Sequence, residues 1–270
     1  MNNIKIGCQV LSWGSKRIIN DLNTVLFEAK TANFEGIEIG TRFLGNLSPL
    51  TFKSLLEEKG LVLSGLHTGL GSINVSGFGD INQLGRDKLL SNFERAINFA
   101  KEVGTSNLIV SGWNKEEKSE EDFNLLVEIL NEIGSMCKKN GITLCYHNHN
   151  WEIENGMYEL KKLVDSLEPE IFSLAPDLGW VEKGGENSLK FIKSFISRIK
   201  YFHLRDISNG DFVELGKGRI DYINIFNFLR ENNWQGWIVA EVVGPNDSPF
   251  PNPFESVSRA RTYLKDILGI

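Results

Sequence analysis

The segment Tyr146–Glu154 reads YHNHNWEIE and concentrates groups that can bind a metal ion or move protons. It contains His147 and His149, two of the four histidines in the chain, and Glu152 follows shortly after them. Imidazole nitrogens and carboxylate oxygens are ligands of borderline divalent metals and also act as general acids and bases. The segment comes directly after the apolar run GITLC, so we expect it at the end of a buried strand.

The rest of the chain repeats this pattern of an apolar run followed by polar residues. Eight such runs alternate with helical patterns, and near-continuous apolar runs are typical of parallel strands covered on both faces. The runs are residues 4–10, 35–39, 61–67, 106–112, 142–147, 171–177, 199–204 and 236–242. Without a linker or a change in composition, the pattern predicts a single (β/α)8 TIM barrel, one domain over residues 1–270. A doubly wound open sheet is the alternative, but the chain has no GxGxxG turn after its first strand.

In such a barrel, catalytic residues lie at the carboxyl ends of the strands. All four histidines fall at predicted strand ends, together with several carboxylates. The candidates are Glu38, His67, His147, Asp177, His203 and Glu241. Carboxylates combined with imidazole favour a divalent cation, with Mn²⁺ expected first and Mg²⁺, Co²⁺ or Zn²⁺ as alternatives. Glu38 is also consistent with a buried ion pair, and His67 with a polar plug at the barrel mouth.

Three of these residues have structural explanations that compete with metal binding. Asp177 in APDLGW is also suited to be the N-cap of a helix, and His203 to be a core histidine bonded to the backbone. A carboxylate within the apolar strand IVAEV needs a partner, because burying it unpaired is costly. A salt bridge from Glu241 to Arg205 would supply that partner.

The overall composition limits the kinds of partner. The formal net charge is −6, the sequence pI is about 5.4 and the acidic residues are dispersed, which argues against binding of nucleic acid or a membrane surface. No secretory signal or long apolar segment is visible, and the three cysteines are far apart. We therefore expect a cytoplasmic protein, monomeric or homo-oligomeric, that acts on a small molecule.

Several motifs, in this order along nearly the whole chain, give a family resemblance. They are GIEI, GLHTG, YHNHNWEIE, PDLGW, YFHLRD, ELGKGRIDY and WIVAEV. The chain resembles the xylose-isomerase-like TIM-barrel superfamily of sugar phosphate isomerases and epimerases, which includes ketose 3-epimerases, hydroxypyruvate isomerase and inosose dehydratase. The resemblance implies a carbohydrate substrate.

The resemblance also implies a metal site. In the epimerase branch, Glu, Asp, His and Glu from strands five to eight hold the ion, and Asp177, His203 and Glu241 match the last three positions. At strand five this chain has His147 where those epimerases have glutamate. Either His147 is itself a ligand, or Glu152 reaches back from the loop to complete the set. We expect Glu152 as the fourth ligand.

The reaction implied by the resemblance is proton transfer through a metal-bound enediolate of a keto-sugar or keto-polyol. Glu241 or Glu152 is the first candidate for the base and His147 the second. Isomerisation or epimerisation is expected. The alternative is dehydration, of the inosose dehydratase type or of a 3-keto-glycoside, with His67 or His149 as the acid. A sugar-binding barrel without catalysis is the further alternative.

Other polar and aromatic residues near strand ends are candidates for substrate binding. They are Glu38, His67, His149, Arg205, Lys217, Trp13, Trp113 and Trp180. Lys217 lies in the GKG segment, which would grip a phosphate or carboxylate or else form a solvated turn. The tryptophans would form apolar walls against a sugar or simply pack under the loops. The Gly-rich segment 68–85 is long enough to be a lid over the mouth.

Overall fold

The computed structural model describes residues 4–71, 84–115 and 117–269, and it confirms the barrel. Eight parallel strands form one sheet in the order β6-β5-β4-β3-β2-β1-β10-β7. The described residues contain ten strands, of which β8 and β9 form a separate hairpin. They are β1 Ile4–Gln9, β2 Gly36–Gly40, β3 Val62–Gly69, β4 Asn107–Ser111, β5 Thr143–His147, β6 Ser173–Leu174, β7 Tyr201–Leu204, β8 Asp206–Ser208, β9 Asp211–Val213 and β10 Gly236–Ala240.

The barrel is closed between β6 and β7 by isolated bridges. Leu174 pairs with Ile199, and Asp177 pairs with His203. The backbone N–H of His203 donates to the carbonyl oxygen of Pro176 at 2.9 Å. This closure places Asp177 beside His203, although the regular part of β6 is only two residues long.

Helices cover the outside of the barrel. They are α1 Ser15–Asn20, α2 Leu22–Thr31, α3 Pro49–Lys59, α4 Arg86–Val103, α5 Glu120–Lys139, α6 Asn150–Ser166, α7 Leu178–Lys183, α8 Ser188–Phe195, α9 Tyr222–Glu231 and α10 Pro253–Leu268. Helix α5 shows how the sequence produces them. Ser119 and Asp122 form a reciprocal capping box at its start, and the residues from Phe123 to Ile133 at helical spacing are buried against the sheet.

The barrel interior is a packed core below a polar layer. Six buried residues fill it: Ile109, Cys145, Ala175, Tyr201, Trp237 and Val239. Successive side chains of a strand point to opposite faces, so the residue two positions after an interior residue also points inward. His147 follows Cys145 in this way on β5, and His203 follows Tyr201 on β7. Strand alternation therefore brings both histidines above the apolar floor.

The structure also bears on the predicted lid and on membrane-spanning helices. Of the predicted lid 68–85, residues 72–83 lie outside the described residues. In the part of the chain that is described, no helix is both long and apolar enough to cross a membrane. The cytoplasmic location stays a prediction.

Candidate active site

A cleft opens at the carboxyl ends of the barrel strands, where the sequence predicts the site. Its cavity volume is about 50 Å³. Its lining consists of Gln9, Leu11, Gly40, Arg42, Phe43, His67, Thr68, Ser111, His147, His149, Arg205, Glu241 and Asp247. These residues come from seven of the eight barrel strands or the turns that follow them, so the cleft exists only in the folded barrel.

His203 is the centre of the buried cluster under this cleft. Its Nε2 lies 2.6 Å from Glu38 Oε2, and its Nδ1 lies 2.6 Å from Nδ1 of His147 and 4.0 Å from Glu241 Oε2. Burial alone would lower the pKa of His203, but the Glu38 carboxylate outweighs it and raises the pKa to about 9. Burial and the neighbouring His203 hold the pKa of His147 well below its usual value. The two imidazoles therefore differ in protonation, and the protonated His203 donates to Glu38.

Glu38 anchors the other side of the cluster through two side chains besides His203. Gln9 Nε2 donates to Oε1 at 2.5 Å, and His67 Nδ1 lies 2.8 Å from the same oxygen. The second ring nitrogen of His67 contacts Ser111 Oγ at 2.7 Å. Burial opposes ionisation of Glu38, yet His203 and these hydrogen bonds lower its pKa well below the usual range. Glu38 is thus a charged anchor that orients two histidines.

Arg205 holds three carboxylates with its three nitrogens. Nε lies 2.7 Å from Asp177 Oδ2, Nη2 lies 2.6 Å from Glu241 Oε1 and Nη1 lies 2.7 Å from Asp247 Oδ1. Burial would lower the pKa of this guanidinium, but the three carboxylates raise it well above its usual value. The salt bridge between Glu241 and Arg205 that the sequence offers as an alternative to metal binding is therefore present.

Asp177 also has the structural role that the sequence offers. It is the N-cap of α7, because its Oδ1 accepts from the backbone N–H groups of Gly179 at 2.9 Å and Trp180 at 3.1 Å. Burial and the nearby Glu241 raise the pKa of Asp177 to about 7, although Arg205 opposes this. One guanidinium thus incompletely compensates the two buried carboxylates beside it.

The structure does not bring Glu152 together with the other expected ligands. Its Oε1 accepts from the Tyr146 hydroxyl at 2.9 Å, and its Oε2 accepts from the backbone N–H of His149 at 2.7 Å. Glu152 is the third residue of α6, so its side chain turns back to cap that helix. Tyr146 points away from the interior because it alternates with His147 along β5. Glu152 is fully buried behind the strand, at a distance from the cleft lining.

Among the described residues, two groups of three place possible ligand atoms within 4.8 Å of one another. One is Glu38, His67 and His203, and the other is His147, His203 and Glu241. The oxygens of Glu38 already have partners, whereas Glu241 Oε2 is buried without a hydrogen-bond partner. Two imidazoles and one carboxylate suit Zn²⁺, Mn²⁺ or Co²⁺, and a histidine ligand commonly donates its other N–H to a carboxylate, as His203 does to Glu38. The second group fits a divalent metal.

Among the described residues that line the cleft there is no tryptophan, so the predicted tryptophan wall is not seen in the lining. The imidazole of His149 lines the cleft and stacks on Trp151, with ring centroids 4.3 Å apart, and the ring of Trp180 lies 5.4 Å from that of His149. Burial and the charge of Arg205 lower the pKa of His149 to about 3, so it is neutral. Its Nδ1 and both indole nitrogens are buried without a hydrogen-bond partner.

The other two tryptophans lie apart from the cleft lining. Trp13 is buried, and its indole N–H donates to Glu28 Oε2 at 2.6 Å. Trp113 is also buried, and the ammonium group of Lys115 lies 5.4 Å from the centre of its ring. Both therefore pack under the loops, which is the alternative that the sequence leaves open.

The GKG segment is folded around an internal carboxylate. Asp206 accepts from the backbone N–H groups of Gly216 at 3.0 Å, Gly218 at 2.9 Å and Ile220 at 3.3 Å. A Cβ at Gly218 would overlap the Asp206 carboxylate, so only glycine permits this approach. Lys217 is exposed and is not part of the cleft lining. These amide groups therefore bind the carboxylate of Asp206.

The sequence reasoning missed Arg42 and Asp247. Arg42 lies in the 3-10 turn Thr41–Phe43 directly after β2, so its closeness to a strand end was a usable signal. Asp247 lies in the turn Pro245–Asp247, well beyond the end of β10, and only tertiary contacts bring it back to the cleft. Both charged groups line the mouth above the buried cluster.

The comparisons with known proteins agree with this architecture. Residues 26–267 match the model of the protein family described as xylose isomerase-like TIM barrel, and the chain belongs to that family. An inosose dehydratase of Bacillus cereus (strain AH820) is 25% identical over 307 aligned residues, covering 100% of this chain and 99% of that protein.

Solved structures show the same fold at lower identity. An L-ribulose 3-epimerase has a TM-score of 0.82 with 16% identity, covering 100% of this chain and 95% of that one. The IolI protein with a bound zinc atom has a TM-score of 0.73 with 17% identity, covering 98% of each chain. Relatives of this chain are thus enzymes that act on sugars and polyols.

The first prediction concerns the close packing behind β5. A Cβ at Gly112 would overlap both Glu152 Oε1 and the Tyr146 hydroxyl. We expect Gly112→Ala to lower the free energy of unfolding by about 1–3 kcal/mol, because an overpacked site must shift its neighbours. Urea unfolding measures this loss. Gly40→Ala is the matched control, since its Cβ would only contact the Phe43 ring at 3.4 Å, and equal losses in both variants would contradict the explanation.

The second prediction concerns pH. Burial and the nearby Glu159 raise the pKa of Glu152 from 4.5 to about 8, although hydrogen bonds from His149 and Tyr146 oppose this. The folded state keeps a proton that the unfolded state releases, so the free energy of unfolding falls as pH rises between these two values. Glu152→Gln removes this dependence, and its stability relative to wild type should increase over that range by an amount on the order of a few kcal/mol.

Urea unfolding at several pH values measures this change. Glu154→Gln, at an exposed position of the same helix, is the control and should follow the wild-type curve. Parallel curves for Glu152→Gln and wild type would show that the buried carboxyl is not the cause.

Proposed function

We propose that this chain is a divalent-metal-dependent enzyme that transfers a proton next to the carbonyl group of a keto-sugar or keto-polyol. Isomerisation or epimerisation is the first assignment. The observation that carries it is the buried group at the cleft floor, where Glu241 Oε2 lacks a hydrogen-bond partner beside the Nδ1 atoms of His147 and His203. The sugar-converting relatives support the substrate class.

In this proposal the ion would be held by His147, His203 and Glu241. Asp177 is not one of the ligands, because its carboxylate pairs with Arg205. When bound, a divalent ion polarises the carbonyl and neighbouring hydroxyl oxygens of the substrate and stabilises the charge of an enediolate. Zn²⁺, Mn²⁺ and Co²⁺ all suit two imidazoles and a carboxylate, and we keep Mn²⁺ as the first choice.

The remaining residues orient the substrate and move the proton. The carboxylate of Glu241 takes the proton from carbon, and Arg205, 2.6 Å from its other oxygen, holds that carboxylate in place. The neutral imidazole of His149 lines the cleft and would contact the substrate there. Glu38 fixes His203 and His67 at hydrogen-bond distance and takes no part in the proton transfer.

Dehydration is the second candidate function, and the residue at the end of β5 favours it. An epimerase can use two equivalent carboxylates, one on each face of the reacting carbon. This chain instead offers one carboxylate, Glu241 after β10, and the imidazoles of His67 on β3 and His147 on β5. A carboxylate that removes the C–H proton and an imidazole that protonates the leaving hydroxyl form the pair that elimination of water needs. His67 and His149 both line the cleft, and His67 is the candidate for this acid, because the low pKa of His149 leaves it neutral.

The third prediction separates the two possible ligands from β5. Titration with Mn²⁺, followed by the electron paramagnetic resonance signal of the free ion, should show tight binding to wild type and to Glu152→Gln. His147→Ala should weaken binding by more than the roughly 10–100-fold that loss of an outer partner such as Glu38 costs. If His147→Ala still binds Mn²⁺ and Glu152→Gln does not, then Glu152 rather than His147 is the metal ligand.

The fourth prediction tests the reaction. Protein supplied with Mn²⁺ is incubated in D₂O with a panel of keto-sugars and inososes, and proton NMR follows the loss of C–H signals. We expect exchange with at least one neutral keto-sugar, and Glu241→Gln should slow it by about 10²–10⁴-fold. New sugar signals indicate isomerisation or epimerisation, and an unsaturated product indicates dehydration. No exchange across the panel would favour a sugar-binding barrel without catalysis.

A further inference from the structure

We propose that Asp247 determines specificity by pairing with Arg205 Nη1 and countering the charge of Arg42 at the cleft mouth, so that the cleft accepts an uncharged sugar and rejects acidic or phosphorylated ones. The inference rests on the proposed action on sugars and adds the substrate class. It concerns Arg42, Arg205 and Asp247, which line the cleft above the buried cluster.

Of the three carboxylates that pair with Arg205, Asp247 is the most exposed to solvent. The side chains of Asp177 and Glu241 are 0% and 4% exposed, whereas that of Asp247 is 45% exposed. Its Oδ1 lies 2.7 Å from Arg205 Nη1, the nitrogen directed to the mouth. A substrate carboxylate or phosphate entering the cleft would bind this nitrogen if Asp247 were absent, because guanidinium groups pair well with such anions.

Arg42 supplies the second guanidinium. It is half-buried, lines the same cleft and stacks on the ring of Phe43, with its Cζ 4.5 Å from the ring centroid. Burial lowers the pKa of Arg42, while Asp247 and Glu241 oppose that effect. The Asp247 carboxylate therefore pairs with Arg205 and attracts Arg42, and these two cations would otherwise capture an acidic group.

The backbone around Asp247 is shaped to hold this carboxylate in place. Asn246 and Asp247 both have left-handed conformations, with φ of 55° and 54°. Two successive non-glycine residues in this region cost free energy, which the ion pair with Arg205 offsets. The loop ends are tied by the bridge between Val243 and Pro249 and by the hydrogen bond from Gly244 N to Ser248 O at 2.8 Å.

The charges of the site also favour an uncharged ligand. The site contains four carboxylates and two guanidiniums, and a divalent ion with neutral imidazole ligands would bring the total to zero. The carboxylates are Glu38, Asp177, Glu241 and Asp247, and the guanidiniums are Arg42 and Arg205. A substrate phosphate would add uncompensated charge to this buried region. The other group of anion-binding backbone amides is already filled by Asp206.

The fifth prediction tests this specificity by equilibrium binding, without turnover. Calorimetry compares D-glucuronate with D-glucose as acidic and neutral probes. Wild type should bind glucuronate no more tightly than glucose. Asp247→Asn keeps the shape but removes the carboxylate that pairs with Arg205 Nη1 and attracts Arg42, and it should bind glucuronate at least about tenfold more tightly than wild type does. The double variant Asp247→Asn with Arg42→Gln should lose most of that gain.

Asp165→Asn is the charge-matched control, because it removes one exposed negative charge in the last turn of α6, at the opposite end of the barrel. It should behave as wild type, and thermal melting should show all variants folded. Preference of wild type for glucuronate, or no gain in Asp247→Asn, overturns the proposal. Since binding is measured directly, such a failure is distinct from an absence of proton exchange with keto-sugars.

Discussion

The ion pairs of Arg205 with Asp177 and Glu241 are the interaction on which the mouth of the barrel depends. Both carboxylates are buried at strand ends, where an unpaired charge would be very costly. Removing one partner of such a pair leaves the other charge buried without compensation. Arg205 thereby links the ends of β6, β7 and β10, and its third contact, with Asp247, extends the link to the loop beyond β10.

His203 links this charged region to the other half of the barrel. One ring nitrogen faces Glu38 on β2, and the other faces His147 on β5 and Glu241 at the end of β10. The imidazole thus connects an anchoring carboxylate to the group that could hold a metal. Because the apolar floor lies just below, water cannot replace these hydrogen bonds, and the side chains keep one arrangement. That fixed geometry is what metal binding and proton transfer at the cleft floor would require.

Much of this could be predicted from the order of the residues, since local rules govern it. Apolar runs and helix signals repeat eight times, and strand ends meet at one face of a barrel, so the grouping of the four histidines with Glu38, Asp177 and Glu241 was predictable. The salt bridge of Glu241 and the capping role of Asp177 were also foreseen as alternatives, because buried carboxylates and residues before helices have few options.

Local sequence rules could not predict where a side chain just beyond a strand end would point. Glu152 has the spacing of a residue that reaches back into the site, but helix α6 begins first, and its third position turns the carboxylate to the helix start and to Tyr146. Arg42 and Asp247 lie far apart along the chain and meet at the cleft mouth only after closure of the barrel. Local periodicity and chemistry therefore determine the barrel and its ring of polar residues. Long-range packing decides which of their atoms face one another, because distances across the mouth depend on all eight strands at once.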